Sequence, residues 1–231
     1  MSDEKNLPVV HSAKDLTIIF PEQNKHISDT EAEKNRSLIT DNGAYTSDGR
    51  AYIDKNALPH LLATDKKGAN RFFNNLEDDD KLELGNQNLA SISSVNKELS
   101  ERIQEPRDTL KKERLRDSEA CIIAFRDAPE LEKSREVEES KNRKEQSNLK
   151  AKKIKSENIT SCELTGEQLE PDADAHHIER QADNPRRARD LGNIVVANKS
   201  PHREIHAAGA ESLEELSALC AEKGWNDPTK G

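Results

Sequence analysis

Asp172-Ala-Asp-Ala-His-His-Ile-Glu-Arg180 and, after a polar interval, Leu191-Gly-Asn-Ile-Val-Val-Ala-Asn-Lys-Ser-Pro-His-Arg-Glu-Ile-His206 hold four of the seven histidines of this 231-residue chain. The order is a His176-His177 pair, then Asn193, then His202 and His206 four residues apart. Histidines at i and i+4 share one face of a helix, so both imidazoles can reach one cation. Neighbouring residues of a strand point to opposite faces, so the adjacent pair can divide into a third ligand and a free base. Histidine suits both tasks near neutral pH because its ordinary pKa is about 6.5.

The surrounding residues supply elements for these groups. Cys162-Glu-Leu-Thr-Gly166 reads as a strand entering a tight turn, with Gly166 free to take positive φ. Ala175–Ile178 is a second strand candidate, Gln181–Asp190 a polar insert, and Leu191–Ala197 an apolar, turn-led run. Ser200-Pro201 predicts a helix start carrying His202 and His206. Residues 210–222, with Leu213, Leu216, Leu219 and Cys220, predict an amphipathic helix ended by Gly224, with a frayed tail beyond.

This arrangement resembles the HNH (His-Me finger, ββα-metal) endonucleases, and among them the DNase domains of colicins, in a hairpin, a His-His pair, a later asparagine and two helical histidines four apart. Sixteen residues separate His177 from Asn193, nine separate Asn193 from His202, and four separate His202 from His206. Cys162-Glu-Leu-Thr-Gly166 is similar to the C-x-x-T-G opening of some restriction-type members. The likeness covers residues 158–209 and is silent on residues 1–150. It implies a divalent metal (Zn, Ni, Mn or Mg) held by His176, His202 and His206, His177 as general base, and Asn193 holding the loop that bears His177. It also implies Asp174 as an acidic residue behind the ligands. One departure stands out. Many such domains carry a second, cysteine-bound zinc, but here Thr165, Asn198 and Pro201 occupy the places of Cys162's partners. The finger must then stand on its own packing, and marginal stability is expected.

Arg180, Arg186, Arg187, Arg189 and Arg203 surround the motif. Two readings stay open for them: clamps on a phosphate backbone, or surface ion pairs with Glu179, Asp183, Asp190 and Glu204. Arg180, Arg186, Arg187 and Arg203 are the candidate nucleic-acid contacts.

Upstream, Leu16–Phe20, closed by Pro21, is a strand candidate within an otherwise flexible or partly ordered segment, residues 1–40. Residues 41–90 read as a small α+β or helix-turn-helix-like domain. Asp41-Asn42-Gly43 and Ser47-Asp48-Gly49 mark turns, Ala51-Tyr52-Ile53 a strand, and Asp54 a helix cap near Asn56. Residues 57–76 suggest two short helices with a turn near Thr64-Asp65. The second would show Lys66, Lys67, Asn70, Arg71 and Asn74 to solvent, as a DNA-reading helix or as an ordinary solvated face. Residues 91–157, dominated by charged residues and without a sustained heptad, read as a charged helical linker. The expected fold class is α+β: a small mixed N-terminal domain, the linker, the C-terminal finger, and a helix with its tail over 210–231.

Composition narrows the function classes. The chain is 32% hydrophobic, 3% aromatic and 35% charged, which argues against one large core. A net charge of −9 argues against broad electrostatic capture of nucleic acid and leaves room for local basic patches. Cys121, Cys162 and Cys220 form no disulfide framework or C-x-x-C site. No apolar run reaches the roughly 18 residues of a membrane span, and Met1–Pro8 lacks a signal-peptide pattern. A cytoplasmic, membrane-free protein is expected. The leading expectation is a metal-dependent endonuclease acting on DNA, by chemistry that serves RNA phosphodiesters equally, with residues 41–90 supplying DNA recognition or a protein-partner surface. The alternatives are a nuclease toxin effector neutralised by an immunity protein, and a non-catalytic DNA-binding regulator that uses the finger as scaffold.

Overall fold

Alternation of small, aromatic and branched residues around two turns builds the first sheet. The computed structural model describes residues 9–230, and its fold is α+β. Five antiparallel strands, β1 (Val10–Ser12), β2 (Gly43–Thr46), β3 (Ala51–Asp54), β4 (Lys81–Leu84) and β5 (Gln87–Ser91), lie in the order β1-β2-β3-β5-β4. Gly49 closes the β2–β3 hairpin with φ +80°, where a side chain would be strained, and its N–H donates to the Thr46 carbonyl at 2.9 Å. Helix α1 (Asp29–Asn42) precedes β2. The single turn α2 (Leu58–Leu61) and α3 (Lys66–Asn74) follow β3, and α4 (Ile92–Gln104) and α5 (Thr109–Arg126) follow β5. The chain divides into two units, residues 1–137 and 138–231.

The core of the first unit gathers Ile39, Ile53, Leu58, Leu61, Leu62, Phe73, Ile92, Val95, Leu99, Leu115, Ile122 and Phe125. Three expectations change here. Residues 91–126 are not a linker: α4 and α5 carry a large share of that core. Helix α5 reads as too polar for this role because its buried face includes Asp117, whose carboxylate accepts from the Asn24 N–H at 3.1 Å, the Asn35 amide at 2.8 Å and the Arg36 guanidinium at 3.4 Å. A carboxylate with three donors can be buried at modest cost, which a count of apolar residues does not register. Nor is the segment before residue 40 loosely held, because α1 contributes Ile39 and those donors. Leu16–Phe20 forms no strand. Leu16, Ile18 and Phe20 pack on the core by alternation alone, while Ile19 stays 76% exposed.

Helix α6 (Pro129–Gln146) begins in the first unit and ends in the second, which continues with α7 (Leu149–Glu157), a hairpin of β6 (Asp174–His177) and β7 (Ile194–Ala197), α8 (Lys199–Ala208) and α9 (Leu213–Lys223). The hairpin pairs Asp174 with Ala197, His176 with Val195 and His177 with Ile194. Ser161 and Gln168 form only an isolated bridge, so Cys162–Gly166 is a turn rather than a strand, with Gly166 at φ +73°. The second core joins Cys162, Leu164, Ile178, Val195, Ala197, Ile205, Leu216, Leu219 and Cys220, with Trp225 against it.

The tail beyond Gly224 is fastened rather than frayed. The Asn226 N–H donates to the Leu164 carbonyl at 2.7 Å, and Asp227 accepts from the Ser217 and Thr229 hydroxyls at 2.6 Å each. The compact unit is therefore wider than residues 158–209. Residues of α6 and α7 belong to it: the Asn142 amide donates to the Pro185 carbonyl at 3.0 Å, and Lys150 donates to the Ala173 carbonyl at 2.6 Å. Among the described residues no helix is long and apolar enough to cross a membrane.

Candidate metal and catalytic centre

The β6–β7 register and the pitch of α8 decide where the four histidines go. His176 on β6 and His202 and His206 on α8 converge, with ligand nitrogens all within 4.8 Å of one another. The Nε2 atoms of His202 and His206 are 3.3 Å apart, and the three rings meet edge to face with centroids 4.6–5.4 Å apart. His176 is buried, and its Nε2 has no hydrogen-bond partner among the described residues. Helix α8 starts at Lys199, one residue before the expected Ser200, with Asn198 at the cap position. The Asn198 side chain is turned to the turn before β6, where its Oδ1 accepts from the Glu170 N–H at 2.9 Å and its amide donates to the Gln168 carbonyl at 3.1 Å.

The electrostatics disfavour the charged form of His176 and of His202. Burial, with His202 and His206 close by, pushes the His176 pKa down to about 4, partly offset by the backbone at Ala210. Burial and then His206 lower that of His202, against the opposing pull of Asp174. Asp174 accepts from Lys199 and lies 3.5 Å from His202 Nδ1. The lysine contact, above all, holds its carboxyl below the usual range. A carboxylate on Nδ1 selects the tautomer that leaves the Nε2 lone pair facing the cluster. Three imidazole nitrogens, one of them buried without a partner among the described residues, form a donor set that fits a borderline transition metal such as zinc, nickel or manganese better than magnesium.

His177 stands apart from this cluster. Its Nε2 lies 3.0 Å from the Ala188 carbonyl oxygen. A carbonyl can only accept, so Nε2 carries the proton and the neutral ring keeps its lone pair on Nδ1. Asn193 is fully buried and staples the loop that provides this carbonyl. Its Oδ1 accepts from the Glu179 N–H at 2.9 Å, and its amide donates to the carbonyls of Glu179 at 3.1 Å and Arg187 at 3.3 Å. Its own carbonyl accepts from the Ile178 N–H at 2.9 Å.

The arginines separate into two groups. Arg187 is paired with Glu179 and Asp190, Arg180 with Glu211 and Asp183, and Arg189 with Glu138 and Glu145. Arg186 and Arg203 are exposed and carry no ion pair among the described residues. The clamp reading thus loses Arg180 and Arg187 as free cations and keeps Arg186 and Arg203.

Two contributors were not singled out from sequence. Lys199 could have been found from the hairpin register, since Ala197 faces Asp174 and puts Lys199 at the same end. The Ala188 carbonyl gives no side-chain signal at all. Cys162, where a zinc knuckle would begin, instead accepts from the backbone N–H groups of Thr165 and Asn198, each at 3.5 Å. Burial raises its pKa, and these donors outweigh that, so the thiol ends below its usual value. No family model matches the chain, and no curated protein or solved structure matches it.

Proposed function

We propose that the chain is a metal-dependent endonuclease of the HNH type that hydrolyses phosphodiester bonds in DNA. The observation that carries this reading is the division of four histidines into a converging trio with an unpartnered buried Nε2 and a fourth ring held off it by a backbone carbonyl. His176, His202 and His206 would hold one divalent ion, which when bound supplies a Lewis acid to stabilise charge on the phosphate and the leaving oxygen.

The chain's own groups do the rest. Nδ1 of His177 accepts a proton from the attacking water, whose oxygen forms the new bond to phosphorus as the P–O bond to the leaving oxygen breaks; that oxygen is protonated from solvent. The Ala188 carbonyl fixes the tautomer and direction of His177, and Asn193 keeps that carbonyl in place. Asp174 orients His202, and Arg186 and Arg203 grip phosphate oxygens on either side.

The test is nicking of supercoiled plasmid by the purified chain with Mg, Mn, Ni or Zn, and with EDTA. Cutting that requires a transition metal and disappears in His177→Ala supports the reading. Metal-independent cutting, or a His177→Ala variant at the wild-type rate, refutes it.

A further inference from the structure

Helix α3 of the first unit presents a face that the fold does not use. Ala69 and Phe73 bury one side, and Lys66, Lys67, Arg71 and Asn74 are exposed on the other, with Asn70 between. No acidic residue interrupts residues 66–74. Lys66, Lys67 and Arg71, and with them Lys55 and Lys97 on the flanks, have no ion-pair partner among the described residues. On one flank Lys55 and Lys66 line a groove of about 510 Å³ with Asn56, Asn70 and Asn88 and no carboxylate. On the other, Arg71 and Lys97 line a groove of about 740 Å³ that also holds Glu77, Asp80, Glu98 and Glu101. There Glu98 is paired with Arg102 and Asp80 accepts from the Ser91 hydroxyl at 2.8 Å.

Unpaired cations collected on one face of a chain of net charge −9 mark a surface for a polyanion. Asparagines interleaved with lysine and arginine narrow the class. Amide and guanidinium side chains pair with adenine and guanine edges in the major groove of B-form DNA, which is wide enough to admit a helix, whereas the major groove of duplex RNA is too deep and narrow. The run Glu77-Asp78-Asp79-Asp80 lies just past the C-terminal end of α3 and repels phosphate there. The N-terminal end therefore faces the groove, as recognition helices do. The support is shorter than in a two-helix reading head, because α2 is a single turn; Ala69 and Phe73 of α3 join the same core as Leu58 and Leu61 of α2.

We propose that α3, through Lys66, Lys67, Asn70 and Arg71, docks in the major groove of duplex DNA, independently of the histidine centre. The test uses the full chain in EDTA, so that binding is read without hydrolysis and stands or falls apart from the nuclease reading. Fluorescence anisotropy follows a labelled DNA duplex from roughly 50 to 200 mM salt. Replacing Lys66, Lys67 and Arg71 together by alanine should weaken binding at least tenfold. It should also flatten the logarithmic salt slope by about 3, near 0.9 for each lost phosphate contact. Asp78→Asn with Asp79→Asn should tighten binding a few-fold. Should the triple variant melt below the wild-type temperature, Lys67→Gln alone, at an exposed position, should still weaken binding two- to threefold. The proposal is overturned by a wild-type chain that binds no duplex at the lowest salt, by unchanged affinity in a folded triple variant, or by equal affinity for duplex RNA.

Discussion

Two buried polar side chains, Asp117 in the first unit and His176 in the second, are treated in opposite ways. In the first, Asp117 is almost fully buried and meets three donors drawn from residues 24–36, so its charge is compensated by protein alone. In the second, His176 is buried with an imidazole nitrogen that nothing among the described residues satisfies, facing two further histidines. Buried polar atoms are paired in most proteins because an unmade hydrogen bond costs about 1–3 kcal/mol. Arg50 Nε, Asn96 Oδ1 and Arg114 Nε of the first unit are also buried without a partner among the described residues, so what sets His176 apart is that its bare nitrogen faces two further metal-ligating side chains.

The sharpest way to break this comparison is to shorten the second unit. Residues 158–209 alone lack Leu216, Leu219, Cys220 and Trp225, which complete its core. That fragment should be unfolded by circular dichroism, whereas residues 138–231 should fold and nick plasmid when metal is added. A cooperative melt for residues 158–209 would show that α9 and the tail are dispensable.

Next in size is His177→Ala. Removing a positioned general base costs about 10²–10⁴-fold in rate, and because the ring stands outside the trio, metal affinity measured by titration calorimetry should stay near wild type. A variant that loses metal as well would place His177 among the ligands. Third, His202→Ala or His206→Ala should each weaken metal binding at least tenfold, about 1.4 kcal/mol. In the wild type, added metal should raise only the melting transition of the second unit, since a ligand stabilises the state it binds. Unchanged affinity in both variants would dissolve the shared site.

The fourth prediction is the acid sensitivity of the metal-free chain. The folded pKa of His176, about 4, lies below the unfolded value of about 6.5. Between these values the unfolded chain binds more protons, so stability rises with pH there. It is complete above about 6.5 and is lost as pH falls toward 4. The second unit's melting temperature should drop by roughly 5 °C or more across that window, on the scale of about 4–8 °C per kcal/mol for a domain of this size. His176→Phe should flatten the dependence, and an equally steep profile in that variant would assign it to other groups. The smallest effect belongs to the arginines. Arg186→Ala and Arg203→Ala should lower kcat/KM a few-fold without changing melting, while Arg187→Ala, which breaks pairs with Glu179 and Asp190, should lower melting too.

Legibility in the sequence followed how local each signal is. The turn at Asp48-Gly49, the two short helices around Asp65, the strand through His176-His177 and the helix through His202 and His206 all rest on residues a few positions apart, and each was readable. Helix α5 was not, because its buried face includes a carboxylate whose donors lie more than eighty residues away. The tail was misread for a similar reason: Trp225 and Asn226 look like the frayed end of a polar segment until Cys162–Gly166 is folded beside them.

What the sequence determined by itself is the chemical inventory and its periodicity: four imidazoles in an order that lets a strand and a helix present them. Periodicity of 2 and 3.6 residues is a property of the local backbone, so it survives without knowledge of the rest. Only the tertiary structure decided which nitrogens converge, that His177 is turned to the Ala188 carbonyl, that Arg180 and Arg187 are bound to carboxylates, and that α7, α9 and the tail complete the unit. Those outcomes depend on hydrogen bonds and contacts between segments remote in the chain, and distance through space is not written in distance along it.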